Sequence, residues 1–167
     1  MPDNRKRILI LGGGTAGITT AAHLVRAGAR GITIVEPSAT HYYQPLWTLV
    51  GGGVFAKEVT ARPQAPLIPQ GVEWIQAGAA EIDPVSQTVV TTAGNRIGYD
   101  FLIVAAGVEF DPDSIPGLCA ALQTSAVSTN YSYDMAPKTW RLIKEFRGGV
   151  ALFHMPSTPI KCPGAPQ

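Results

Sequence analysis

The six residues Gly12-Gly13-Gly14-Thr15-Ala16-Gly17 constrain this chain more than any others, because of what flanks them. Ahead of them, Ile8 to Leu11 is a continuous apolar run, the pattern of a parallel strand buried on both faces. A helical pattern follows from about Ala16 to Ala27, with Ile18, Ala21, Ala22 and Val25 on one side and Gly28 as its stop. A second apolar strand, Ile32 to Val35, ends in Glu36, nineteen positions after Gly17. The expected interval for such an acid is about 20 residues. Strand, G-x-G-x-x-G turn, helix, strand and terminal acid in this order predict an α/β, Rossmann-like unit built on a parallel sheet.

Each part has a physical task. Gly12 permits the tight strand-to-helix turn, Gly14 lets the backbone approach a pyrophosphate, and Gly17 lets the helix pack closely on the strand. The helix opening at Thr15, Ala16 and Gly17 offers free N–H groups and the positive end of the helix dipole to phosphate charge. Glu36 is suited to accept hydrogen bonds from a ribose diol. It would repel a 2′-phosphate, which argues against NADP.

This fingerprint serves both NAD and FAD, so later residues decide. Val72 to Gln76 reads as a strand. Glu81 to Pro84, Thr88 to Thr92 and Arg96 to Tyr99 read as short antiparallel strands joined by turns such as Ala93-Gly94-Asn95. An NAD dehydrogenase would more often continue with alternating helices and parallel strands. Next comes Tyr99-Asp100-Phe101-Leu102-Ile103-Val104-Ala105-Ala106-Gly107, an apolar strand ending in small residues that allow close approach of backbone to a ligand. It resembles the second flavin-domain motif of flavoproteins with two dinucleotide-binding domains. That resemblance implies FAD as the cofactor, with Gly107 near it and Ala79, at the end of the strand before the insertion, beside the adenine.

Tyr133 to Phe146 is predicted helical, with Pro137 in its first turn and Ala136, Trp140 and Ile143 on one face. Gly148 and Gly149 close it, and Val150 to Phe153 is expected to start a new strand. On this reading residues 1–147 are the FAD-binding domain without its C-terminal segment, and residues 148–167 open a second dinucleotide fold.

Three segments carry a more specific resemblance. They are His41-Tyr42-Tyr43-Gln44-Pro45-Leu46-Trp47-Thr48-Leu49-Val50-Gly51-Gly52-Gly53, Ser128-Thr129-Asn130-Tyr131-Ser132, and Pro156-Ser157-Thr158-Pro159-Ile160-Lys161-Cys162-Pro163-Gly164-Ala165-Pro166-Gln167. They are similar to segments of sulfide:quinone oxidoreductases, most of all the branch that includes the mitochondrial enzymes. The resemblance implies oxidation of sulfide to protein-bound sulfur, with electrons passed through FAD to a quinone. It also implies peripheral membrane association. Cys162 matches the first of the family's two sulfur-carrying cysteines; the partner cysteine, the last flavin motif and the quinone pocket find no match in this chain. Lys161 and a nearby helix start would favour the thiolate of Cys162. Cys119 matches no family cysteine and is expected to be a buried structural thiol.

Composition narrows the field. With 46% hydrophobic and 15% charged residues a packed core is readily supplied, and a net charge of +1 excludes the basic footprint of a nucleic-acid binder. Cys119 and Cys162 are too few and too far apart for a disulfide framework or a zinc site. No C-x-x-C or C-x-x-x-x-C pair occurs, which disfavours glutathione-reductase-type chemistry. No signal peptide, transit peptide or membrane-spanning apolar run is read, so a cytoplasmic or peripheral-membrane location is expected. The enzyme alternative is a type II NADH:quinone reductase. The non-catalytic alternative is a fragment that binds FAD without turnover, and an ordinary NAD-binding Rossmann domain is disfavoured by the antiparallel insertion.

Overall fold

The computed structural model describes residues 6–154. Its centre is a four-stranded parallel sheet. β1 (Ile8–Leu11) lies between β2 (Ile32–Val35) and β9 (Phe101–Val104), and β5 (Val72–Ile75) pairs with β2, giving the order β5-β2-β1-β9. Alternation along β1 divides the core in two. Leu9 and Leu11 pack with Val35, Val89 and Tyr99 on one face, while Ile10 packs with Ile32, Ile34 and Ala21 on the other. The second face is covered by α1 (Thr15–Arg26), which also contributes Leu24 and Val25.

The first face is covered by a separate antiparallel sheet of β6 (Ala79–Asp83), β7 (Thr88–Thr91) and β8 (Arg96–Gly98), in that order. Val89 of β7 is fully buried against the parallel sheet. The α/β class, the parallel sheet and the antiparallel insertion expected from sequence are therefore all present.

Between β2 and β5 the chain builds a small unit that sequence reading does not resolve. β3 (Thr40–Tyr42) pairs antiparallel with β4 (Ala61–Pro63), and α2 (Trp47–Gly51) lies between them. Tyr42, Trp47 and Tyr133 form an aromatic cluster, with ring centroids 4.8 to 6.3 Å apart. Lys57 Nζ sits 4.5 Å from the Tyr133 ring centre and 2.7 Å from Asp134 Oδ1. These contacts hold the unit on the segment leading into α4 (Ala136–Glu145).

α3 (Leu118–Leu122) is capped by a neighbour: Lys138 Nζ of α4 donates to Leu122 O at 2.9 Å and to Thr124 O. On α4 the expected apolar face is only partly covered. Ala136 is fully buried, whereas Trp140 and Ile143 remain 38% and 43% exposed. Val150 to Phe153 does not form the expected strand. These residues join no ladder, and a strand exists only through pairing. Cys119 is half-buried rather than buried, and its thiol is held above the usual range by hydrogen bonding to Asp113 and then by burial. Both effects oppose thiolate formation.

Candidate dinucleotide-binding site

The glycine loop sits at the C-terminal end of β1, in the middle of the parallel sheet. Gly12 has φ +103°, and a side chain there would overlap the Ala105 carbonyl at the end of β9. Ala105 N–H in turn donates to Leu11 O at 2.8 Å, so the small end of β9 lies directly against the loop. Gly17, buried in α1, would drive a side chain into the Gly12 carbonyl. Helix and strand thus meet backbone to backbone.

Gly14 differs. It is exposed, and no described atom lies within 4 Å of where its side chain would begin. It is the N-cap of α1 and makes no side-chain cap. The first helical bond runs from Ile18 N–H to Gly14 O at 3.0 Å, leaving Thr15, Ala16 and Gly17 N–H without intrahelical acceptors. Thr15 and Ala16 are exposed, and the first turn carries no acidic residue. An open cradle rimmed by free N–H groups at a helix start is a ready anion site.

Glu36 stands beside it at the end of β2. Its Oε2 accepts from Gly13 N–H at 2.7 Å, and its Oε1 accepts from Ser38 N–H at 2.7 Å. Its backbone is fixed too, because Trp74 Nε1 donates to Glu36 O at 2.9 Å and Glu36 N–H donates to Ile75 O at 3.1 Å. A carboxylate offers about four lone-pair positions, so two remain for a ribose diol. The donor set therefore fits a dinucleotide: free N–H groups for the phosphates and an oriented acceptor for the sugar.

Of the other sequence-derived positions, Gly107 follows Ala105 and Ala106 on the loop side of β9, exposed and with open space beside it. Ala79 is exposed at the start of β6, and its described partner is Thr91 across the antiparallel sheet. It follows the end of β5 by four residues, where Gln76 Nε2 donates to Pro37 O beside Glu36. Cys162 lies outside the described residues.

Two contributors escape sequence reading. Ser38 supplies the second N–H to Glu36, and Gln64, 1% exposed, donates from Nε2 to Gly13 O at 2.8 Å. Neither stands in a periodic pattern; Gln64 is 51 residues from its partner. A groove of about 440 Å³ lies at the opposite end of the sheet, lined by Arg7, Gly31, Thr33, Gly71, Glu73 and Gly98. It contains no residue of the loop, and open α/β sheets bind ligands at the carboxyl ends of their strands. The loop is the better site.

A parallel sheet carrying this loop, acid and antiparallel insertion defines a dinucleotide-binding oxidoreductase unit, and residues 6–143 match the pyridine nucleotide-disulphide oxidoreductase family. The chain belongs to that family. It is similar to mitochondrial sulfide:quinone oxidoreductase of Mus musculus, with 43% identity over 98% of this chain and 37% of that protein. The Dictyostelium discoideum protein of the same name is 42% identical over 98% and 37% respectively. Among solved structures, the sulfide:quinone oxidoreductase of Aquifex aeolicus superposes with a TM-score of 0.67 at 28% identity, over 84% of this chain and 32% of that one. The chain thus spans about a third of the length of these relatives.

Proposed function

We propose that this chain is the FAD-binding N-terminal portion of an oxidoreductase that takes electrons from sulfide and delivers them to a quinone. The observation that supports this most is the open Gly14 cradle with the clamped Glu36 beside it, in a chain 43% identical to such a protein along nearly its whole length. Gly12 and Gly17 hold the turn. The N–H groups of Gly14, Thr15, Ala16 and Gly17 face the pyrophosphate, and Glu36 accepts from the ribose. Gly107 and Ala79 are assigned to the cofactor on the family resemblance alone. FAD, when bound, supplies a two-electron acceptor.

Cys162 is assigned as one of two cysteines that would carry the sulfur while the two electrons of sulfide oxidation pass to FAD, and the adjacent Lys161 favours its thiolate. Residues 1–147 are read as the N-terminal part of the FAD domain and 148–167 as the start of a second dinucleotide fold. Peripheral membrane association belongs to the same proposal. Among the described residues no helix is long and apolar enough to cross a membrane.

The direct test is titration of the 167-residue chain with FAD, following flavin fluorescence and the visible band. Saturable quenching is expected, and Glu36→Ala should weaken it about tenfold or more, the scale of a hydrogen bond to a charged group. A folded chain that leaves flavin fluorescence untouched would remove the loop as a self-sufficient site. In a polypeptide of the relatives' full length, anaerobic sulfide should bleach the flavin, and Cys162→Ala should abolish that bleaching. A flavin that ignores sulfide and is reduced by NADH would replace this reading with that of a type II NADH:quinone reductase.

A further inference from the structure

Gln64 is among the most deeply buried polar side chains described, with 1% of its surface exposed. Burying a primary amide is unfavourable unless its polar groups are paired. Its Nε2 donates to Gly13 O at 2.8 Å, crossing from the β3–β4 unit into the glycine loop. The Gln64 backbone is fixed at both ends: its N–H donates to Ala39 O at 2.9 Å, and its carbonyl accepts from Leu67 N–H at 2.9 Å. The amide therefore reaches the loop from a rigid base.

The consequence follows from peptide geometry. Gly13 C=O and Gly14 N–H belong to one planar trans unit, in which the two bonds point in opposite directions. Gln64 draws the carbonyl into the interior, so the Gly14 N–H is turned outward, away from Gln64. Gly14 is the exposed residue with open space around it, and its N–H has no partner among the described residues. On the preceding peptide, Gly13 N–H is drawn to Glu36 Oε2 at 2.7 Å. Both peptides around Gly13 are thus oriented before any ligand arrives. The packing leaves no slack: a side chain on Gly13 would begin 2.7 Å from Glu36 Cγ and would overlap the Gln64 amide.

We propose that Gln64 is a positioning residue of the dinucleotide site, which aims the Gly14 N–H at the ligand's pyrophosphate and keeps Gly13 available to orient Glu36. This rests on the flavin-binding reading above. Gln64 does not touch the ligand. It acts by preorganisation, lowering the ordering cost that would otherwise be met on binding.

The test compares the parent chain with Gln64→Leu and Gln64→Glu in titrations with FAD and with ADP, well below the melting temperature of each protein. Gln64→Leu should weaken FAD and ADP by the same factor, about tenfold, because both carry the pyrophosphate and a buried carbonyl has lost its donor. Gln64→Glu should bind less well than the parent, by a ratio that grows as pH rises from 5 to 8. Its carboxyl can donate to Gly13 O only while protonated. A merely structural role for Gln64 would alter melting temperature without that pH-dependent ratio. If the parent binds FAD and both variants bind it equally well at every pH, the inference is overturned while the flavin reading stands.

If the parent binds no FAD, the flavin reading fails for this chain. Gln64 is then judged with inorganic pyrophosphate as probe, following the Gly14 amide by NMR. A shift in the parent that is absent from Gln64→Leu supports the inference, and equal shifts or none overturn it. Should Gln64→Leu not fold, the change in Gln64→Glu affinity relative to the parent between pH 5 and pH 8 carries the comparison.

Discussion

Two pairs of glycines in this protein are both close-packed, yet what they pack against differs. Gly12 and Gly17, around the loop, would place a side chain on backbone carbonyls, those of Ala105 and Gly12. Gly51 and Gly53, at the end of α2 and just beyond it, would place one on side chains, those of Asn130 and Trp140. The loop is backbone set against backbone, inside a hydrogen-bonded sheet that has no way to yield. The α2 contact is backbone set against side chains that can rotate. The first arrangement leaves the loop little room to shift. The second docks a peripheral unit and tolerates adjustment.

The largest expected effect tests the rigid half. In Gly17→Ala the new methyl would overlap Gly12 O, and relief requires moving α1 off β1 or breaking the β1–β9 register. Overpacking a core costs typically 1–3 kcal/mol, and with backbone on both sides a loss of about 3 kcal/mol or more is expected. Urea denaturation followed by circular dichroism would measure it, and FAD binding should be lost in the same variant. A loss under about 1 kcal/mol would mean the loop yields after all, and the contrast between the regions would collapse.

A milder and separable effect is expected in the other half. Gly53 has φ +76°, so Gly53→Ala carries a left-handed backbone cost of about 1–2 kcal/mol as well as the conflict with Trp140. Trp140 is 38% exposed and has room to swing. In a Trp140→Ala background only the backbone cost should remain. A double-mutant cycle should therefore return a coupling on the order of 1 kcal/mol. Zero coupling would show that the indole does not rest on Gly53.

The same division explains what the sequence made legible. β1 and β2 are recognisable because Ile8–Leu11 and Ile32–Val35 are short apolar runs bounded by glycines and an acid, and the local pattern carries the whole signal. The β6–β8 insertion is equally readable from alternation and turn residues. β3, β4 and α2 are not, since three-residue strands ending in residues such as Pro63 offer too little period to detect. Their placement depends on Tyr42, Trp47 and Tyr133 meeting across about ninety residues of chain. In the site, Gly12, Gly14, Gly17 and Glu36 were readable as a spaced motif. Gln64 was not, because its role exists only once the fold brings it to Gly13. The expected strand at Val150 shows the converse, for an apolar run predicts a strand only where a neighbouring strand is present to pair with it.

The smallest expected effect lies at the far end of the rigid region, where β1 and β9 begin. There the sheet is held by side chains in water. Arg7 N–H donates to Asp100 Oδ2 at 2.7 Å, its Nη2 donates to Oδ1 at 2.9 Å, and Asp100 N–H returns a bond to Arg7 O at 2.9 Å. The Arg7 side-chain hydrogen bond, followed by the backbone N–H, lowers the Asp100 carboxyl to about 2. An unfolded aspartate titrates near 3.9. Because the folded value is the lower one, the contribution to stability is complete above about pH 4 and disappears as pH falls through about 2. The pair is exposed, so the effect is small and partly screened by salt. Asp100→Asn should thus be slightly less stable than the parent at pH 7, with the gap closing between pH 4 and pH 2 in denaturation midpoints. A gap that persists unchanged at pH 2 would mean the ionised carboxylate contributes nothing. The backbone pairing of β1 with β9 would then secure this end of the sheet as it secures the loop end.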